Sequence, residues 1–153
     1  MIKNILNLMN QLITQEWNNM IKKIVFDGHD GVGKSTRIEE MKKLFPGVEF
    51  SDRGIFSEAT MNFKVEGENE WYQDSEKFYN TIRTNSDTLY IILDATPEEC
   101  QRRILARGGH IDCEFHNMHD LIMYRRRFKV LVDLVKDLPN VMEIDTTDIK
   151  NPV

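Results

Sequence analysis

A chain of 153 residues with 41% hydrophobic content has the size and apolar share of one compact domain, which excludes a disordered segment. A net charge of -5 argues against a general nucleic-acid binder while leaving room for a local basic patch, and two cysteines, Cys100 and Cys113, make no disulfide framework, so a reducing cytoplasm is expected. No apolar run approaches the roughly 20 residues that span a bilayer, so no membrane partner is expected.

Residues 1–20 carry Ile2, Ile5, Leu6, Met9, Leu12, Ile13 and Trp17 at helical spacing. This reads as an amphipathic extension, packed on its own domain or on a second copy in a homodimer. Interrupting Asn and Gln and the lack of a small-residue cleavage site argue against a signal peptide. Met20 would itself make a sensible start, so residues 21–153 are taken as the domain proper. Within it, "KKIVFD" (22–27) is a β-rich run that leads into a glycine loop, and a helix follows from Ser35 to about Phe45, ended by Pro46-Gly47. "VEFSD" (48–52) is a second strand. Helices are expected over 57–66 and 71–83, with the polar "EGENE" between them. "TLYIILD" (88–94) is a continuous apolar run, as for a strand buried on both faces. Thr96-Pro97-Glu98-Glu99 opens a helix that stops at Gly108-Gly109, and a polar stretch runs to about Asn117. A long helix then reaches Leu138, and "VMEID" (141–145) is the last strand. Strands alternating with helices predict an α/β fold, a parallel sheet sandwiched by helices, with a short lid at about 107–117.

Gly28-His29-Asp30-Gly31-Val32-Gly33-Lys34-Ser35 fits G-x-x-x-x-G-K-[ST] between a strand and a helix. Glycines let the backbone wrap phosphates with its N–H groups inward, and the helix N-terminus adds favourable charge. Lys34 can reach the β- and γ-phosphates, and Ser35, followed by Thr36, can hold Mg²⁺. ATP and Mg²⁺ are therefore the expected cofactors.

The stretch "FDGHDGVGKST" resembles the phosphate loop of thymidylate kinases, within the P-loop NTPase-type fold. The resemblance implies that Asp30 faces the acceptor nucleotide near its sugar hydroxyl. It also implies a catalytic arginine in the lid, because Gly31 stands where one branch of that family has arginine. "VEFSDRGIFSE" resembles thymidylate and deoxynucleoside kinases, where Asp52 would sit near Mg²⁺ or the acceptor and Arg53 would bind the acceptor-side phosphate. "ATPEECQRRILARGG" is similar to the deoxynucleoside kinase lid, with Pro97, Cys100, Arg103, Ile104, Arg107 and Gly108 in place. Arg103 and Arg107, four apart, would close over the triphosphate, with Gly108-Gly109 as hinge. Asp112 and Glu114 match lid acids.

His110, Cys113, His116 and His119, spaced by threes, drift around a helix and do not converge as zinc ligands. Among the aromatics, Trp71, Tyr72, Phe78 and Tyr79 read partly as core, and one of these, Phe63 or Phe56 stacks on an acceptor base, with Phe56 preferred. Arg125 is within reach of a nucleotide. Only 18 residues separate Gly33 from Asp52, so the acceptor elements that thymidylate kinases place there have no counterpart, and residues 55–85, with Arg83 as substitute phosphate ligand, must supply the pocket. The expected activity is transfer of the ATP γ-phosphoryl group to a small-molecule nucleotide acceptor, a (deoxy)nucleoside monophosphate. A deoxynucleoside kinase, a kinase for a nucleic-acid end or modified base, an NTP-driven switch and a binding-only relative stay open.

Overall fold

The computed structural model describes residues 21–61 and 68–148. The helical stripe of residues 1–20, the predicted helix end at 62–66 with Phe63, and the side chains of Trp71 and Tyr72 lie outside the described residues. The elements run β1 (Lys23–Asp27), α1 (Lys34–Leu44), β2 (Glu49–Asp52), α2 (Ile55–Met61), α3 (Glu68–Thr84), β3 (Thr88–Asp94), α4 (Pro97–Ala106), α5 (Met118–Val135) and β4 (Val141–Asp145). The strands form one parallel sheet in the order β2-β1-β3-β4, with Ile24 in register with both Phe50 and Leu89, and Tyr90 with Val141.

The alternation of side chains along β1 and β3 builds two cores, one on each face of the sheet. Ile24, Phe26, Leu89, Ile91 and Leu93 point toward α1 and α4, where Ile38, Met41, Cys100 and Ile104 meet them. Val25, Tyr90 and Ile92 point the other way, against Phe56, Phe78, Ile82, Phe128, Leu131 and Val135. All seven residues of β3 are buried, which is why that strand reads as an unbroken apolar run. Each such side chain contributes about 1.5–3 kcal/mol of burial free energy, which holds helices on both faces. The expected α/β sandwich is what the chain forms.

Local signals set most of the ends. Thr96 caps α4 by accepting from Glu99 N–H at 3.3 Å, and Asn117 caps α5 by accepting from Asp120 N–H at 2.9 Å. Arg107 closes α4, and Gly108 takes the left-handed conformation (φ 83) that stops it. α5 stops at Val135 rather than Leu138, and α2 starts at Ile55 rather than 57 and is seven residues long. Its first amides are taken by Asp27, a residue of β1, whose Oδ2 accepts from Gly54 and Ser57 N–H at 3.0 Å each. A cap supplied from another strand leaves no mark in the local pattern. α3 also begins earlier than the pattern indicates, inside the polar "EGENE". No helix among the described residues is long and apolar enough to cross a membrane.

The chain leaves β1 for β2 on one side and later for β3 on the other. The crevice beyond the carboxyl ends of β1 and β3 is therefore the switch point of the sheet, where α/β proteins bind ligands.

Candidate active site

The glycine loop emerges from β1 at this switch point. Gly28, Gly31 and Gly33 have φ of 147, 86 and 92, conformations that glycine adopts readily and other residues rarely. Two positions are also sterically closed. A Cβ on Gly28 would lie 2.5 Å from the Leu93 carbonyl, and one on Gly31 would lie 2.8 Å from that of Cys100. Val32 is fully buried and anchors the loop to the core. Lys34 opens α1 and folds back, donating to the carbonyls of Gly28 (2.8 Å) and His29 (3.0 Å). Burial holds its ammonium below the usual lysine range, and Arg53 adds to this, while Asp30, Asp52 and Asp27 oppose it. Ser35 is exposed at the same helix end. The side chain of Thr36 lies outside the described set.

Asp30 joins three parts of the chain. Its Oδ1 accepts from Arg53 Nη2 at 2.6 Å, and its Oδ2 from His116 Nε2 at 2.9 Å. Arg53, directly after β2, holds a left-handed backbone (φ 66), an uncommon conformation for a residue with a side chain, and its amide is fixed by the Phe26 carbonyl at 2.8 Å. Asp52 ends β2 opposite Phe26 and is exposed. A cleft opens beside these groups, lined by His29, Asp30, Arg53, Thr60, Phe115 and Tyr124, with Phe128 at its base. The room at its centre is about 20 Å³, enough for about one water. Phe115 (φ 72) packs on Tyr124 with ring centres 5.5 Å apart, and Arg127 lies 5.4 Å from the Tyr124 ring centre.

At the end of β3, Asp94 ties the loop to α5. Arg125 donates to its two oxygens at 3.0 and 3.1 Å, Lys129 Nζ lies at 3.0 Å, and His29 Nε2 at 3.5 Å. Burial would raise its carboxyl, but the bonds from His29, Arg125 and Lys129 prevail and hold it well below the usual carboxylate range.

The two lid arginines part company. Arg103 is buried, and its guanidinium reaches Glu99 (3.1 Å), the Gly31 carbonyl (3.2 Å), Thr146 Oγ1 (2.9 Å) and the Thr146 carbonyl. Arg103 thus bonds the loop at the Gly31 carbonyl and ties it to Thr146. Arg107 caps α4 outside the helix proper and is exposed, so the shared helix face expected from the spacing does not form.

Three further expectations change. Phe56 is fully buried in the core, edge-on to Phe78 with ring centres 5.1 Å apart, so it does not stack on a base. The cleft's aromatic wall is Phe115, Tyr124 and Phe128. Arg83 lies in the last turn of α3, which leads to the start of β3, at the amino end of the strands and away from the loop, because parallel strands gather their carboxyl ends on one side. Arg125 is committed to Asp94. Of the His/Cys series, Cys113 Sγ lies 3.3 Å from His116 Nδ1, whereas His119 turns to Asp120 and is exposed. Among the described residues, no group of three or more His, Cys, Asp or Glu side chains forms a metal cage.

No family model matches the sequence. The chain is 30% identical over 128 residues to deoxycytidine kinases of Mus musculus and Homo sapiens, an alignment covering 76% of this chain and 49% of either relative. The chain thus spans about half the length of these curated relatives. The likeness is to deoxycytidine kinases, and no thymidylate kinase stands beside them.

Several of these site residues escaped the sequence reading. Asp27 and Asp94 were visible as acids closing apolar strands, the position that faces the crevice in a parallel sheet. Tyr124 falls four before Phe128 on α5, so it shares that residue's side of the helix. Phe115 carried no local signal, and His116 showed only as one of the His/Cys series, because only the turns between α4 and α5 bring them to the loop.

Proposed function

We propose that this protein is an ATP-dependent phosphotransferase acting on a (deoxy)nucleoside acceptor. The observation that carries this reading is the Asp30 carboxylate, set between the phosphate-type loop and an aromatic-walled cleft. ATP fits the loop by its chemistry: a buried cation whose hydrogen-bond acceptors among the described residues are two loop carbonyls can turn to phosphate oxygens without leaving its site. In that low-dielectric setting its charge acts strongly on the transferring group. Mg²⁺, bound with the nucleotide, would neutralise charge across the β- and γ-oxygens, with Ser35 and Asp52 as protein oxygen ligands; Mg²⁺ commonly takes only one or two. Asp30 accepts a hydrogen bond from the acceptor's sugar hydroxyl and directs that oxygen to the γ-phosphorus. Tyr124 and Phe115 hold the base, and Arg107 comes over the moving phosphoryl group on lid closure. Arg103 acts as a positioning residue for the loop.

A neutral nucleoside is favoured over a monophosphate by the charge of the cleft. Arg53 is the cation on its described lining, and Asp30 already pairs with it at 2.6 Å. A monophosphate would have to take Arg53 from Asp30, which keeps the thymidylate-kinase-like reaction as the second reading.

The test is a transfer screen with ATP and Mg²⁺ over nucleosides, their monophosphates and short DNA. Labelled nucleoside monophosphate is the expected product. ATP consumption with no acceptor phosphorylated would overturn the kinase reading, and labelling of monophosphates alone would select the second one.

A further inference from the structure

His116 stands in the place an acceptor hydroxyl needs. Both oxygens of Asp30 are occupied, Oδ1 by Arg53 and Oδ2 by His116. An acceptor hydroxyl that bonds Asp30 in the place of either partner requires that partner to withdraw.

Of the two, Arg53 has the more firmly anchored backbone. It follows β2 directly, its amide is bonded to β1, and its backbone lies in the left-handed region. His116 sits in the segment between α4 and α5, with Gly108 and Gly109 at the near end. That segment makes its turns locally, through Cys113 and His110 carbonyls that accept from residues of the same stretch.

We propose that His116 is an intramolecular surrogate for the acceptor's hydroxyl: it latches the lid onto Asp30 in the free protein and yields Oδ2 when a nucleoside binds. A carboxylate only accepts, so Nε2 carries a proton in the latched lid. Nδ1 faces Cys113 Sγ at 3.3 Å and the His110 carbonyl at 3.1 Å. It can accept from the thiol, or donate to the carbonyl when it is itself protonated. Opening the lid and admitting the acceptor become one event. The acceptor half of this inference rests on the function proposed above; the latch does not.

The experiment reads the two halves separately. Amide hydrogen exchange of residues 108–117 is followed in the full chain and in His116→Ala and His116→Gln, without ligand. Faster exchange in the alanine variant, partly restored by Gln through its side-chain N–H, is the result expected of a latch. Unchanged exchange in the alanine variant would overturn it, and because His116 is a partly exposed lid residue, retained protection in β1 and β3 verifies the fold. Calorimetry with deoxycytidine, deoxyadenosine and thymidine then tests the competition. Loss of one hydrogen bond to a charged group should tighten nucleoside binding by roughly ten- to a hundredfold in His116→Ala. Equal or weaker binding would refute the surrogate role, whereas no binding by any form would sink the nucleoside reading and leave the latch to be judged on exchange alone.

Discussion

Replacing Asp94 by Asn keeps the shape of the side chain and removes the charge that joins the loop to α5. Asp94 is 4% exposed, and it faces Arg125 at 3.0 Å, Lys129 at 3.0 Å and His29 at 3.5 Å. Removing one member of a buried ion pair costs about 3–5 kcal/mol, mostly because its partner is stranded without water. Here the side chains of Arg125 and Lys129 are 29% and 44% exposed and can turn to solvent, which lowers the expected cost to about 2–3 kcal/mol. For a chain of this length that is a fall of roughly 4–12 °C in Tm, read by circular dichroism. The pH dependence is also set. The carboxyl is held below its unfolded value of about 3.9, so its stabilisation is complete above that pH and is lost as pH falls through the folded value. The gap between Asp94→Asn and the parent should be equal at pH 7 and pH 5.5 and should narrow below about pH 4. A variant melting within about 1 °C of the parent at pH 7 would refute the view that this network carries stability.

Lys34→Met should lower transfer by at least about a hundredfold while melting at or above the parent, since burial works against the charged form there; a large loss of stability would refute that. Gly31→Ala meets both a left-handed φ and the Cys100 backbone at 2.8 Å, so it should cost roughly 2–4 kcal/mol by denaturant unfolding. Gly108→Ala, with φ 83 and nothing within 4 Å of the added carbon, should cost only roughly 1–2 kcal/mol, and equal costs would deny the loop its close packing. Phe56→Ala should destabilise by roughly 3–5 kcal/mol as a core deletion, whereas Tyr124→Ala should raise the acceptor KM with little change in Tm. The reverse pattern would return Phe56 to the acceptor site.

The elements with strong periodicity were legible because their signals are local. β3 and β4 lie at the predicted bounds, and the helix from Pro97 and the loop from Gly28 begin where capping and glycine spacing place them. The limits of α2 and α3 were not, since α2 takes its cap from Asp27 on another strand and α3 extends into residues of polar composition. The candidate site divides in the same way. Lys34 and Ser35 follow from spacing, as the backbone of a strand-loop-helix carries them to one end of the sheet, whereas Asp52 was read from a resemblance and is brought there by the pairing of β2 with β1.

By itself, the sequence determined the α/β sandwich and the phosphate-type loop, because alternation, glycine spacing and caps act over a few residues. Only the tertiary structure decided which charged groups meet. Arg103 and Arg107 look alike in sequence, yet one is buried against Thr146 and the other is exposed at a helix end. Asp30 and His116 are 86 residues apart, and their contact at 2.9 Å depends on the turn of the lid. An ion pair is chosen by distance and burial in three dimensions, and neither is written in the spacing of residues along the chain.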